Sequence, residues 1–202
     1  MVRPAGIQRA KRLGLVSSGV AGAIFSPYIR ETTSLFDRKE KGRLFTMIRA
    51  PVYRIVSKYY YMKDQGLLHY DNSTVTMEQF IASDDDNWMV RALSSSPRSR
   101  IGERELNIAK EVLRKHVLVG LWEEKAESLR RIEQYFGWEL PSPVAESCMI
   151  DKLHGTWDNM NPHPEAQDED LLLLIQEKNQ YDFNLYFYAK KLFQEQTQLF
   201  KR

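Results

Sequence analysis

Two short apolar runs limit the folds that are open to this chain. RLFTMIR (43–49) and HVLVGL (116–121) each have the length and the apolar content of a buried strand, and amphipathic helical patterns lie between them. Strands separated by helices favour a parallel sheet with crossover connections. Because two strands alone do not make a stable sheet, we expect a helix-rich α/β fold from which a core element that should precede residue 43 is absent.

Helical patterns account for most of the remaining chain. Pro51 stands where proline favours the first helical position, and it opens a helix that Gly66 is placed to stop. GERELNIAKEVLRKH (102–116) repeats its apolar residues at three and four positions, as one buried helix face requires. The remaining predictions are short helices over 29–37, 76–83 and 87–94, a loop over 69–74, a helix over 123–137, irregular chain over 139–170 and helix over 171–200.

The charge balance excludes some classes of partner. The chain has 29 Lys and Arg against 27 Asp and Glu, so its net charge is only +2. Such a balance gives no reason to expect a nucleic-acid partner, although it allows a local cationic pocket for one anion. The single cysteine, Cys148, excludes an internal disulfide, and the four histidines lack metal-ligand spacing, so we predict no metal site.

The N-terminal segment has two interpretations. Residues 1–30 contain five Arg or Lys and no acid, and LGLVSSGVAGAIF (13–25) adds a stretch of apolar and small residues. Taken alone, this pattern is typical of a signal or transit peptide. The stretch is shorter than the roughly 20 apolar residues of a transmembrane helix. We favour the alternative, in which it is a buried helix or strand whose upstream partner is missing.

The first strand and the helix after it carry the most informative polar residues. Arg49 stands at the carboxyl end of the strand, where ligands collect in open α/β sheets and where the next helix offers free amides to an anion. Arg54 and Ser57 lie three residues apart on that helix and so share a face. An arginine with a hydroxyl suits a phosphate. On spacing alone, however, ordinary surface residues are the better interpretation.

The same segment resembles a known motif. The order R-x-P-x-x-R-x-x-S (49–57), followed by Tyr59, Tyr60 and Tyr61, resembles the 3′-phosphate-binding motif of sulfotransferases that use 3′-phosphoadenosine-5′-phosphosulfate (PAPS). Three later segments resemble the carbohydrate, Golgi-resident, heparan-sulfate-type branch in the same order: NWMVRAL (87–93), the helix–strand–helix over 109–138, and N-x-x-D-x-x-L-Y-x-x-A-x-x-L-F (179–193). The resemblance divides the chain into an atypical segment, 1–40, and a sulfotransferase domain, 41–202.

The resemblance implies a fold, a site and an activity. The fold is a truncated P-loop-kinase-like parallel sheet flanked by helices. Arg49 and Ser57 are expected to hold the 3′-phosphate of PAPS, with Arg54 as a packing or orienting residue of that cofactor site. The enzyme would move a sulfuryl group to a hydroxyl of a glycan acceptor in the Golgi lumen, held by a membrane anchor that is not visible in this chain.

The sequence also departs from the family pattern. The lysine-bearing loop P-K-x-G-T/S-T, which grips the 5′-phosphosulfate in the family, has no counterpart here, and GVAGA (19–23) lacks the lysine and the hydroxyls. We assign no catalytic base, and we expect poor sulfate transfer by these 202 residues as they stand. The alternatives are an inactive sulfotransferase-like protein that binds a nucleotide or a partner, and a helical scaffold without a ligand.

Two further segments have weaker functional interpretations. Asn161 and His163, in NMNPHPE (159–165), could fold over the adenosine of the cofactor, but such a composition is more typical of a solvated loop. The run Asp84–Asp86 could suggest a cation site, but the capped start of the following helix explains it better.

Overall fold

The computed structural model describes residues 4–70, 73–97, 99–138, 142–145, 147–148 and 168–200. The helices are α1 (Pro4–Arg12), α2 (Ile29–Thr33), α3 (Pro51–Asp64), α4 (Met77–Ser83), α5 (Trp88–Ser94), α6 (Glu103–His116), α7 (Lys125–Phe136), α8 (Glu169–Lys178) and α9 (Gln180–Gln196), and a 3-10 turn (Thr197–Phe200) follows α9. The strands are β1 (Leu44–Ile48), β2 (His69–Tyr70), β3 (Ser73–Thr74) and β4 (Val117–Leu121).

A parallel pair of strands lies at the centre of the fold. β1 pairs with β4 in parallel, with Leu44 opposite Val117 and Ile48 opposite Leu121. Helices α3 to α6 lie between the two strands along the chain and form the crossover that a parallel pair requires. The predicted strands over 43–49 and 116–121 are confirmed, and the fold is a helix-rich α/β arrangement around a small parallel sheet.

The segment predicted as a loop over 69–74 contains a short antiparallel ladder. β2 and β3 pair with His69 opposite Thr74 and Tyr70 opposite Ser73. The loop prediction was therefore wrong at these positions. A strand of two residues is too short to produce the alternating pattern by which strands are recognised in sequence.

Side chains close the outer edge of β4. The N–H of Val119 donates to Oε1 of Gln196 at 2.9 Å, and Nε2 of Gln196 donates to the carbonyl of Val117 at 2.9 Å. Farther along the strand, Oγ of Ser128 accepts from the N–H of Leu121 at 2.9 Å and donates to its carbonyl at 3.0 Å. An amide from α9 and a hydroxyl from α7 therefore make the bonds that a third strand would make.

The outer edge of β1 has a different character. The carbonyl of Ile48 accepts from the N–H of Trp122 at 2.8 Å, so Ile48 directs its backbone groups toward β4. Because backbone direction alternates along a strand, Phe45 and Met47 direct theirs away from β4. Within the described ranges no strand pairs with that side of β1. The sheet thus has one closed edge and one open edge.

Two apolar clusters form the core. The first joins the sheet to α5, α6 and α9, and the second joins α3, α4 and α8. Burying each large apolar side chain contributes about 1.5–3 kcal/mol. Deeply buried members include Val90, Leu106, Leu113, Leu185 and Phe193 in the first cluster, and Ile55, Val56, Phe80, Ile81 and Ile175 in the second.

The buried face of α7 differs from the predicted one. Ser128, Arg131 and Ile132 are its buried residues. The guanidinium of Arg131 lies 3.8 Å from the ring centroid of Phe193 and donates to the Phe193 carbonyl at 2.6 Å. A polar side chain such as Arg131 can be buried when its hydrogen bonds are satisfied, and apolar periodicity does not detect such a residue. The predicted stripe was Ala126, Leu129, Ile132, Glu133 and Phe136, of which only Ile132 is buried.

Candidate anion site at the sheet edge

The carboxyl ends of the paired strands bring three side chains to one edge of the sheet. Arg49 follows β1, and Trp122 and Glu123 follow β4. The guanidinium carbon of Arg49 lies 5.8 Å from the centroid of the Trp122 ring, which is a cation–π contact. Arg49 is half-buried, whereas Trp122 and Glu123 are exposed. A cation therefore lies at the edge where parallel sheets bind ligands.

Helix α3 begins at this edge. Ala50 is its N-cap residue and Pro51 its first helical residue, as predicted. Tyr53 and Ser57, four residues apart, share one face of the helix, whereas Arg49 precedes the N-cap residue and lies outside the helix. Six residues from Pro51 to Ser57 correspond to about 9 Å along the helix axis. Ser57 is half-buried, and among the described residues its hydroxyl has no hydrogen-bond partner.

Glu123 faces the start of α3. Its Oε1 accepts from the N–H of Ala50 at 2.9 Å. Burial lowers the pKa of Arg49, and the nearby charge of Glu123 acts in the opposite direction. Burial together with the charge and hydrogen bonding of Glu123 raises the pKa of Tyr186, on α9, to about 12. Glu123 and Tyr186 were missed from the sequence, although the position of Glu123 after a predicted strand was a usable signal.

The side chain of Arg54 contacts residues of α5 and α9. Its Nη2 lies 3.6 Å from Oδ2 of Asp182, and its guanidinium carbon lies 5.8 Å from the centroid of Trp88. Its Nε and Nη2 are buried without a hydrogen-bond partner among the described residues. Burial lowers the pKa of Arg54 and raises the pKa of Asp182, so desolvation exceeds the attraction between them. This placement fits the orienting role expected of Arg54.

Polar residues of the other resembling segments hold helices together. Oδ1 of Asn87 accepts from the backbone N–H groups of Tyr181 and Asp182, at the start of α9. The carboxylate of Asp182 accepts from the N–H groups of Met89 and Val90, at the start of α5, at 3.0 and 2.9 Å. These residues therefore position the elements around α3, a role that the sequence patterns did not indicate.

The acidic run before α5 has partners of its own. Asp84 lies 2.5 Å from Nζ of Lys58, and Asp86 pairs with Arg91. The amides of α5 are capped by Asp182 from a distant part of the chain, so the expected local cap was wrong. Across the part of the chain that the structure describes, no group of His, Cys, Asp and Glu side chains is arranged to hold a metal ion.

A second concavity, of about 670 Å³, lies between α5, α6, α8 and α9. Two of its cations are engaged by backbone carbonyls. Nζ of Lys178 donates to Ile81 and Ala82, each at 2.6 Å, and Arg91 donates to Asp86 and Ser99, each at 2.7 Å. Bonds inside the fold therefore engage two of the three cations that line this concavity, and Arg100 is the third.

Two other segments had interpretations from the sequence, the N-terminal stretch with GVAGA (19–23) and the loop NMNPHPE (159–165). The apolar stretch 13–25 is irregular and none of its residues is buried, so the buried helix or strand favoured there was wrong. Within it, GVAGA (19–23) follows no strand among the described residues. Asn161 and His163 lie outside the described residues. None of the helices in the described ranges combines the length and the apolar character needed to cross a bilayer.

Comparison of the chain with protein-family models, with curated proteins and with solved structures found no match.

Proposed function

We propose that this chain is a PAPS-dependent sulfotransferase, or the cofactor-binding part of one, that moves a sulfuryl group from PAPS to a hydroxyl of a carbohydrate-type acceptor. The fold would be the P-loop-kinase-like one, with β1 and β4 as two strands of its parallel sheet. The observation that carries the proposal is the position of Arg49 at the carboxyl edge of a parallel pair, directly before the helix that carries Ser57.

The residues at this edge fit the 3′-phosphate of the cofactor. Arg49 supplies a half-buried guanidinium, and Ser57 lies on the helix that follows, about 9 Å along its axis from Pro51. An arginine–phosphate bond contributes about 1.5–3 kcal/mol, because both partners are charged. Tyr53 and Trp122 add exposed aromatic surface on either side of Arg49. Arg54 would support the helix from behind through Asp182.

The cellular setting of the proposal rests on the resemblance alone. We propose a Golgi enzyme acting on a glycan, because the heparan-sulfate-type branch is the one whose segments this chain resembles. The catalytic base and the group that holds the 5′-phosphosulfate remain unassigned.

A second function, nucleotide binding without transfer, is favoured by one observation. GVAGA is irregular and exposed, whereas a loop that grips a 5′-phosphosulfate lies between a strand and a helix. A chain that holds only the 3′-phosphate would bind the cofactor without polarising the sulfuryl group. Transition-state stabilisation by preorganised donors supplies the largest part of such a rate increase.

Calorimetry with adenosine 3′,5′-bisphosphate, the product of the cofactor, tests the binding site. We expect Arg49→Ala to weaken binding about tenfold or more, since about 1.4 kcal/mol corresponds to a factor of ten. Arg54→Lys is the matched control, because it keeps a cation beside Asp182, where Arg54 contacts α5 and α9, and it should change the affinity little. Equal losses in both variants, or none in Arg49→Ala, would show that the site is misplaced.

Radiolabelled PAPS with a panel of glycans separates the two functions. Transfer that is lost in both Arg49→Ala and Ser57→Ala supports the enzyme. Binding of the bisphosphate that depends on Arg49, without transfer to any glycan, supports the nucleotide-binding alternative.

A further inference from the structure

The amide at the start of α3 already has an anionic partner. Oε1 of Glu123 lies 2.9 Å from the N–H of Ala50, which is the N-cap residue of this 14-residue helix. Pro51, at the next position, has no N–H to offer. The carboxylate of Glu123 therefore takes the amide next to Arg49, at the helix end where negative charge is most favourable.

Contacts from two elements set the environment of Glu123. It follows β4 directly, so the strand fixes its backbone beside the end of β1. Tyr186, a buried residue of α9, has its pKa raised to about 12 by burial and by Glu123. Glu123 is exposed, so solvent can reach its carboxylate, but an arriving anion must break its bonds to the Ala50 amide and to Tyr186 before it can move away.

We infer that Glu123 is an internal competitor at the proposed phosphate site and sets the affinity of that site. This inference rests on the proposed function, because it takes Arg49 as the residue that binds the phosphate. An incoming phosphate meets the Glu123 charge beside Arg49 and beside the Ala50 amide. The phosphate binds only if it displaces that carboxylate, or if it binds despite the repulsion between the two negative charges. The proposed site therefore has a lower affinity for every phosphate ligand than it would have if Glu123 were absent.

The expected size of the effect follows from the contact that is lost. The bond between the Ala50 amide and the Glu123 carboxylate is charge-assisted but exposed, which places its strength at the lower end for such bonds. Displacing it costs about 1.4 kcal/mol, which corresponds to a factor of ten in affinity. Removing the side chain should therefore tighten phosphate binding, in contrast to the usual result of a change in a binding site.

Three variants isolate this effect in calorimetry with adenosine 3′,5′-bisphosphate. Glu123→Ala removes both the charge and the acceptor, and we expect about tenfold tighter binding. Glu123→Gln removes the charge but keeps an acceptor for the Ala50 amide, so its gain in affinity should be smaller than that of Glu123→Ala. Glu124→Gln removes the same charge one residue farther along, and it should leave the affinity within about twofold of the wild type.

Each outcome decides between the two proposals. If Glu123→Ala binds more tightly and this gain is lost in the double variant with Arg49→Ala, both the phosphate site and the competing role of Glu123 are supported. Binding that depends on Arg49 but is equal or weaker in Glu123→Ala overturns the competitor and leaves the phosphate site standing. Binding that is indifferent to Arg49, or absent from the wild type and all variants, overturns both.

An NMR measurement reports the contact without relying on affinity. The backbone resonance of Ala50 should move in Glu123→Ala, and it should move again when the bisphosphate is added to the wild-type chain. A resonance of Ala50 that is the same in the wild type and in Glu123→Ala would contradict the contact.

Discussion

Asn87 and Asp182 cap each other's helices. The side-chain oxygen of Asn87 accepts from the amides of Tyr181 and Asp182 at 2.9 and 3.1 Å, and the carboxylate of Asp182 accepts from the amides of Met89 and Val90. A helix start normally finds its cap in the preceding residues. Here the first turns of two helices lie more than 90 residues apart in sequence, and a side chain from each accepts hydrogen bonds from the free amides of the other.

Asn87→Ala should destabilise the protein by about 3 kcal/mol. Losing a cap costs about 0.5–2 kcal/mol. Asn87 also has φ of 47°, a left-handed conformation that costs alanine about 1–2 kcal/mol. Asn87→Gly loses the same hydrogen bonds without the backbone strain, so in urea unfolding it should lie between the wild type and Asn87→Ala. Equal stabilities of the alanine variant and the wild type would contradict the cap.

Arg54 and Asp182 should show strong coupling in a double-mutant cycle. Asp182 is fully buried, and removing one member of a buried ion pair leaves the other uncompensated, at a cost of about 3–5 kcal/mol. We expect Asp182→Asn and Arg54→Met each to destabilise the protein. The double variant should recover about 1–3 kcal/mol relative to the sum of the single changes. Additive free energies of unfolding would show that the two charges do not interact.

Gln196→Ala should destabilise the sheet by about 2–3 kcal/mol. The change leaves the N–H of Val119 and the carbonyl of Val117 without partners beside a buried strand. Gln194→Ala removes an exposed glutamine from the same helix and should cost little. Hydrogen exchange at Val119 gives a local measurement, because its amide should exchange faster in Gln196→Ala. Unchanged protection of that amide would contradict the closed edge.

Glu127 should contribute to stability against acid. Hydrogen bonding to Arg130, aided by Arg131, lowers its pKa from 4.5 to about 2. Because the folded value lies below the unfolded one, the contribution is complete above about pH 4.5 and is lost as the pH falls toward 2. The side chain is 36% exposed, so solvent screening limits the effect to about 1 kcal/mol.

Urea unfolding between pH 2 and pH 6 measures this effect. Glu127→Gln should flatten the rise of stability with pH in that window. Glu177→Gln, which changes an exposed acid of α8, should leave the slope as it is in the wild type. The prediction fails if both variants keep the full slope.

Apolar spacing was sufficient to predict the elements that build the core. β1, β4, α3 and α6 were predicted within one or two residues, because each buries a regular set of apolar side chains. Gly66 ends α3 with φ of 65°, the left-handed conformation that glycine favours. These features depend on residues close in sequence, which is why a single chain suffices to predict them.

The polar interior could not be predicted in the same way. Arg131 is buried because Phe193 and Thr197, more than 60 residues away, satisfy it, and Asn87 depends in the same way on α9. For the candidate site, the end of the predicted strand gave the position of Arg49, and the predicted helix after it carries Ser57. The carboxylate of Glu123 at Ala50 emerges only when the two strands are paired.

The unequal edges of the sheet limit how copies of this chain can associate. Strand-to-strand assembly continues indefinitely only when every copy presents two bonding edges, as in a fibril. In this chain the side chains of Gln196 and Ser128 already bond the backbone groups of one edge, that of β4. Two copies that join through the open side of β1 leave no further edge of the β1–β4 sheet among the described residues, so growth through this sheet ends at a two-fold pair.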